Sequence, residues 1–296
     1  MAQTFYWIGV SLAILSGMLN NFGTVIQKKV VNEFSGDSKF MRNIIKKPLW
    51  ILGLILGLGI GSILFLTAQV FIGPALIPGL MASGLIILAI GSIKIVGESL
   101  TIKEITGIIM MILAIFLLGI SGLSIDIVHT NLLEVGFIIR TAIFTSSLVL
   151  FSILCQIFQK RDANYRGIFL AILSGFMYSL SNFWVSPLMA VMTHVLSGNF
   201  ELLELVLFII SAIILILTNA IGIITITQAF RIGQASNLVP IQQVPIQIAP
   251  IFVYLLVFLL IPPSIFSILS LVIGIILILI SSFLLGKRQE QLEEIK

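Results

Sequence analysis

The sequence predicts an all-α polytopic membrane protein with nine transmembrane helices, built as two inverted four-helix repeats joined by a central helix. Three observations predict it. The chain of 296 residues is 59% hydrophobic and 9% charged, with a mean hydropathy of +1.21, whereas an ordinary soluble domain is about 45–50% apolar and about 25% charged. Nine continuous apolar runs approach the roughly 20 residues that a helix needs to cross the hydrocarbon core. One hexapeptide occurs twice, at the same depth in the first and sixth runs. The shortage of charge excludes a soluble enzyme, a disordered chain and a nucleic-acid-binding protein. The single cysteine, Cys155, excludes an intrachain disulfide and a cysteine-based zinc site.

The runs cover 4–26, 48–69, 73–94, 103–123, 133–157, 166–187, 201–228, 236–261 and 265–286. They are continuous rather than alternating, which excludes a β-barrel. The first run has no basic leader and is too long for the core of a cleaved signal peptide. With the N-terminus outside, 15 of the 16 Lys and Arg residues fall on the inner side: Lys28, Lys29, Lys39, Arg42, Lys46, Lys47, Lys94, Lys103, Lys160, Arg161, Arg166, Arg231, Lys287, Arg288 and Lys296. None falls on the outer side, and only Arg140 lies within a span. This split supports the count of nine and predicts a multi-pass protein of the cell membrane, N-terminus outside and C-terminus cytoplasmic. The net charge of +4 reports orientation, not a nucleic-acid partner. The expected partners are the lipid bilayer and a small-molecule or ion substrate, and a homodimer is allowed.

The organisation follows from the repeat. Leu12-Ala13-Ile14-Leu15-Ser16-Gly17 recurs as Leu170-Ala171-Ile172-Leu173-Ser174-Gly175. Residues 4–123 are read as the first four-helix repeat, 133–157 as the linking helix, 166–286 as the second repeat and 287–296 as a cytoplasmic tail. An offset of five spans turns the second set upside down. Inverted repeats of this kind are typical of secondary transporters, whose sites lie at mid-membrane between the halves; a duplicated scaffold would carry the same pattern.

Prolines mark matching places in both halves. The third span opens with Pro74 and Pro78, and the eighth carries Pro240, Pro245 and Pro250. Each removes a helix N–H and clashes with the carbonyl four residues back. Carbonyls freed at membrane depth persist only where protein or a water-lined cavity satisfies them. The eighth span adds Asn237, Gln242, Gln243 and Gln247. Ser236, Gln243, Gln247 and Tyr254 share one helical face. The first span presents Ser16, Asn20, Thr24 and Gln27, and the sixth matches it with Ser174, Tyr178 and Asn182. The plain reading of any one of these residues is a hydrogen bond between helices. As a set recurring in both halves they read as the lining of a path. The substrate-binding candidates are therefore Asn20, Thr24, Tyr178, Asn182, Asn237, Gln242, Gln243 and Gln247.

The 12 acids all sit in loops or at helix ends. A buried carboxylate proton relay is thereby disfavoured. So is an intramembrane hydrolase. No catalytic residue, metal ligand or cofactor is expected. Arg140 reads as snorkelling outward or as facing an anion. Lys28 and Lys29 read as snorkelling at the inner end of the first span, and Lys94 and Glu98 as a candidate pair. Thr101 and Glu104 have the spacing of a capping box at the start of the fourth span. Residues 38–47 mix apolar and basic positions, as in a short interfacial helix or a solvated loop.

Several motifs carry a family resemblance. These are Gln27-Lys28-Lys29, Lys47-Pro48-Leu49-Trp50 followed by Leu52-Gly53-Leu54, Gly73-Pro74-Ala75-Leu76-Ile77-Pro78, Gly97-Glu98-Ser99-Leu100-Thr101, Gln228-Ala229-Phe230, and Ala235-Ser236-Asn237-Leu238-Val239-Pro240. In order and spacing the chain resembles the drug/metabolite transporter superfamily, in its EamA and NIPA-like branches. The resemblance implies alternating-access transport, and its NIPA-like branch implies Mg²⁺. Two positions depart from that branch. Gly59-Ile60-Gly61-Ser62 stands where such proteins carry an acid and an amide, and Gln242-Gln243 stands in place of an aromatic pair. Mg²⁺ sites use carboxylates or retained waters, so the amide-rich lining favours a small polar solute, with a divalent cation as the alternative.

Overall fold

A computed structural model describes residues 2–34, 39–72, 77–123 and 134–294. Its architecture follows the apolar runs. Helix α1 covers Ala2–Glu33. The short α2, Phe40–Ile44, turns Phe40 and Ile44 into the bundle and leaves Lys39 and Arg42 exposed. The second span is α3, Pro48–Leu54, then a π-helical stretch Ile55–Gly61, then α4, Ser62–Ile72. Pro48 begins α3 where its missing N–H costs nothing. Next come α5, Ile77–Met81, and α6, Gly84–Gly91, the latter running into a π turn, Ser92–Val96. Then follow α7, Ile102–Ile120, and α8, Val135–Arg161. The last four helices are α9, Arg166–Ser197, α10, Leu202–Ile232, α11, Ala235–Phe252 with a π turn at Val253–Val257, and α12, Ile265–Glu294.

Eight of the described helical segments are long and apolar enough to cross a membrane. The third expected span departs from a single helix. Its apolar part, Gly84–Val96, falls short of a crossing, and a turn at 82–83 divides it from α5. Pro74 lies outside the described residues, and Pro78 lies within α5. The prolines of the eighth span act differently. All three lie inside one unbroken helix, α11. Residues 287–294, expected as tail, continue α12 as helix.

Packing explains why α11 survives its prolines. α9 packs along both α10 and α11, α7 packs on α12, and α1 touches every piece from α3 to α6. A Cβ on Gly175 would lie within 3.0 Å of the Pro245 ring and the Gln242 carbonyl oxygen, so α9 offers a notch into which the Pro245 face of α11 fits. Gly17 makes the same approach in the first half, against the Met81 backbone. The serine before each glycine donates to a glycine carbonyl of the following span: Ser16 Oγ to Gly61 O at 2.7 Å, and Ser174 Oγ to Gly222 O at 2.8 Å. The largest buried apolar cluster draws Val25, Leu88 and Met111 together with Phe230, Leu238 and Ile278. Burial of this kind, at about 25 cal/mol per Å² in water, holds only where chain leaves water; between membrane helices close packing does the work.

Candidate functional site

The sequence-predicted polar residues separate into three groups. The first is internal ties. Gln242, 7% exposed, donates from Nε2 to Ser174 Oγ at 2.8 Å, and Ser174 Oγ in turn donates to Gly222 O. This chain of bonds joins α11, α9 and α10, so Gln242 acts as interhelical glue. Asn21, also buried, donates back to Gly17 O at 3.0 Å.

The second group is half-buried and keeps polar atoms available. Gln247 Nε2 donates to Gln243 Oε1 at 3.2 Å, one turn apart on α11. Asn20 and Thr24 lie on α1, where Thr24 Oγ1 donates to the Asn20 carbonyl at 3.1 Å. The Tyr178 ring lies over Gly222, where a side chain would meet it within 3.4 Å. Asn182, one turn further along α9, is exposed. The expected face through Ser236, Gln243, Gln247 and Tyr254 is thus divided: its ends are occupied, because Ser236 binds Glu98 and Tyr254 Oη donates to Ile261 O at 3.0 Å.

The third group gathers at the end of the bundle that carries the basic residues, here called the basic end. Asn237, fully buried, donates to Glu104 Oε1 at 2.8 Å instead of facing a mid-membrane path. Glu104, also fully buried, completes the expected capping box: its Oε2 accepts from Thr101 N at 2.6 Å, and its own N–H donates to Thr101 Oγ1 at 3.4 Å. Arg288 Nε stands 3.8 Å from the same carboxylate. Glu98, 8% exposed, does not pair with Lys94, which is exposed. Its two oxygens accept from Ala235 N at 2.7 Å, Ser236 N at 3.1 Å and Ser236 Oγ at 2.7 Å. A carboxylate there meets the positive end of α11 and satisfies N–H groups that Gln234, the N-cap residue, leaves uncapped.

Lys28 corrects the snorkelling expectation. It is 5% exposed, and its Nζ donates to Phe230 O and Gly233 O at the C-terminal end of α10. Only Lys29 is exposed. The sequence did hold a signal for this: Lys28 continues the four-residue spacing Ser16, Asn20, Thr24 along one side of α1. Arg140 is likewise tied inward. Its Nε donates to Val257 O at 2.8 Å, and it braces the end of α11, where Leu259 holds the left-handed φ of 54°.

Among the described residues no group of three or more His, Cys, Asp or Glu could hold a metal ion. What the half-buried group offers is neutral: amide, hydroxyl and carbonyl oxygens. Such oxygens suit the hydration shell of a hard cation or the polar groups of a small solute, and bind neither tightly. No curated protein and no solved structure matches the chain. A family profile described as "Magnesium transporter NIPA" matches residues 4–291, which is nearly the whole length. The chain is therefore an integral multi-pass membrane protein of the NIPA magnesium transporter family, within the drug/metabolite transporter superfamily.

Proposed function

We propose that the protein carries Mg²⁺, or a divalent cation of similar hydration, across the membrane by alternating access between two inverted four-helix halves. One observation carries the choice of ion: the match to a magnesium transporter family runs from residue 4 to residue 291. The paired contacts of Ser16 and Ser174, and of Gly17 and Gly175, support the repeat. Equivalent side chains there meet equivalent backbone in both halves. The basic end is the cytoplasmic one on this reading, by the positive-inside bias.

The ion passes with its water shell. Mg²⁺ dehydrates reluctantly and is held through several retained waters, so a lining without carboxylates can still conduct it. Gln243, Gln247, Asn20 and Thr24 contact that shell, with Tyr178 and Asn182 beside them. The test is flux into liposomes containing purified protein and a trapped magnesium indicator. Uptake driven by an outside excess of Mg²⁺, reduced several-fold by Gln243→Ala, is the expected result. No uptake under either polarity overturns the reading.

A small polar solute is the second reading, favoured by the Gln243–Gln247 amide pair. Thermal stabilisation by an amino acid, nucleoside or polyamine, with none from Mg²⁺, would select it, since a ligand that binds the native state raises its melting temperature.

A further inference from the structure

The corner between α10 and α11, residues 232–235, is held by opposite charges that both come from the first half. On its α10 side, Lys28 takes the last carbonyls, Phe230 O and Gly233 O. On its α11 side, Glu98 takes the first N–H groups, at Ala235 and Ser236, and the Ser236 hydroxyl. Each charge matches the helix end it meets: a cation on exposed carbonyls, an anion on exposed N–H groups. We propose that Lys28 and Glu98 are the latch of a gate at the basic end, closed here, which releases the corner when the path opens on that side. The proposal rests on the alternating-access reading above, though not on the identity of the substrate.

Three features make this a latch rather than a permanent joint. Helix ends are usually capped by their own chain, yet the N-cap residue Gln234 makes no side-chain cap bond to α11. Gln289 of α12 accepts from Gln234 N at 3.2 Å, and the caps at Ala235 and Ser236 come from Glu98 in the opposite half. Every group the latch joins is also one that water can solvate, so separation exchanges protein partners for water instead of stranding charge in lipid. The closed state bears a cost of its own as well. Asn237 Oδ1 and Arg288 Nε, on either side of Glu104, are buried without a hydrogen-bond partner among the described residues. Water entering an opened end would relieve that cost. Two states of comparable free energy are what a gate requires. Behind the latch lies Leu238, fully buried in the apolar cluster shared by both halves, and opening exposes it.

The test reads that exposure directly. Cys155 is the only native cysteine, so the full chain carrying Cys155→Ser and Leu238→Cys has one thiol. It is reconstituted in vesicles of both orientations and labelled with a membrane-impermeant maleimide. With the latch intact, labelling is slow from either side. Lys28→Gln and Glu98→Gln each raise the rate about tenfold or more, the shift expected when charge-assisted bonds are lost from one state only. They do so from the basic side alone, and Lys28→Arg returns the rate toward that of the intact latch. Unchanged labelling in variants that remain monodisperse overturns the latch, and so does a rise from both sides. If Lys28→Gln does not fold, Glu98→Gln and Ser236→Ala decide by the same readout. A wild-type chain that moves no Mg²⁺ while its variants label as expected would overturn the magnesium reading and leave the latch standing.

Discussion

The N-terminal and C-terminal halves of the chain share a pair of contacts but differ in their helices. In the second half, α9, α10 and α11 are long and unbroken, although α11 contains three prolines. In the first half, the second span carries a π stretch and the third is divided into α5, α6 and a π turn. Proline number therefore does not by itself decide where a membrane helix breaks. Pro245 is seated in the Gly175 notch, and Gln242 beside it is bonded to Ser174, so this turn of α11 is held against α9 by both packing and a hydrogen bond. At the equivalent place in the first half, Gly17 touches Met81, the last residue of the five-residue α5.

Filling those notches separates the two cases and gives the largest expected effect. Gly175→Ala places a carbon against the Pro245 ring and the Gln242 carbonyl in the middle of a rigid helix. The cost is about 3 kcal/mol, at the upper end for overpacking, with a large loss of folded protein on size exclusion. Gly17→Ala meets backbone at the end of a short helix beside a turn, which can move, and costs about 1–2 kcal/mol. Equal losses would show that α5 is as rigid as α11 and would break the comparison.

Next in size is a tie between the halves. Glu104→Ala leaves Asn237 Nδ2 only its longer bond to Gln234 Oε1 at 3.4 Å, Thr101 N without its acceptor and Arg288 beside an empty place. Removing one partner from a buried charged set costs about 3–5 kcal/mol, and part of Arg288 still reaches solvent, so a value near 3 kcal/mol is expected from reversible unfolding in detergent. Glu104→Gln keeps the shape and one acceptor and should recover about half.

The basic end also shows how much could be read beforehand. The helices were legible because apolar length and the one-sided Lys and Arg distribution report on the bilayer, which acts on every residue alike. The Thr101–Glu104 capping box was legible because both partners lie within one turn. The partners of Glu98 and Lys28 were not, because they lie more than a hundred residues away and are, the Ser236 hydroxyl apart, backbone atoms that every sequence has. Gln242 and Gln243 are neighbours in sequence, yet one is glue and the other is half-exposed. Composition could not separate them, since successive positions on a helix point about 100° apart.

The serines sharpen the comparison on a smaller scale. Ser174 both donates to Gly222 O and accepts from Gln242 Nε2, so Ser174→Ala strands a buried amide; about 2 kcal/mol is expected. Ser16 makes one strong bond, to Gly61 O, and Ser16→Ala should cost about 0.6 kcal/mol, the typical value for a hydrogen bond between membrane helices. The reverse order would mean that the π stretch of the first half depends on Ser16 to satisfy its carbonyls.

The smallest effect on stability is the most useful for function. Asn182 and Thr24 each follow the repeated hexapeptide by seven residues, yet Asn182 is exposed, whereas Thr24 is half-buried and bonded within its own helix. Asn182→Ala should leave unfolding within about 0.5 kcal/mol of wild type, as for other exposed sites. Thr24→Val should do nearly the same, because the bond it loses closes only one helical turn. With stability held constant in both, a change in Mg²⁺ uptake reports contact with the ion's water shell and not a loosened bundle. If the path is built evenly from both halves, the two variants lower uptake to a similar degree. If only Asn182→Ala acts, the second half carries the path and the broken first half serves to move against it.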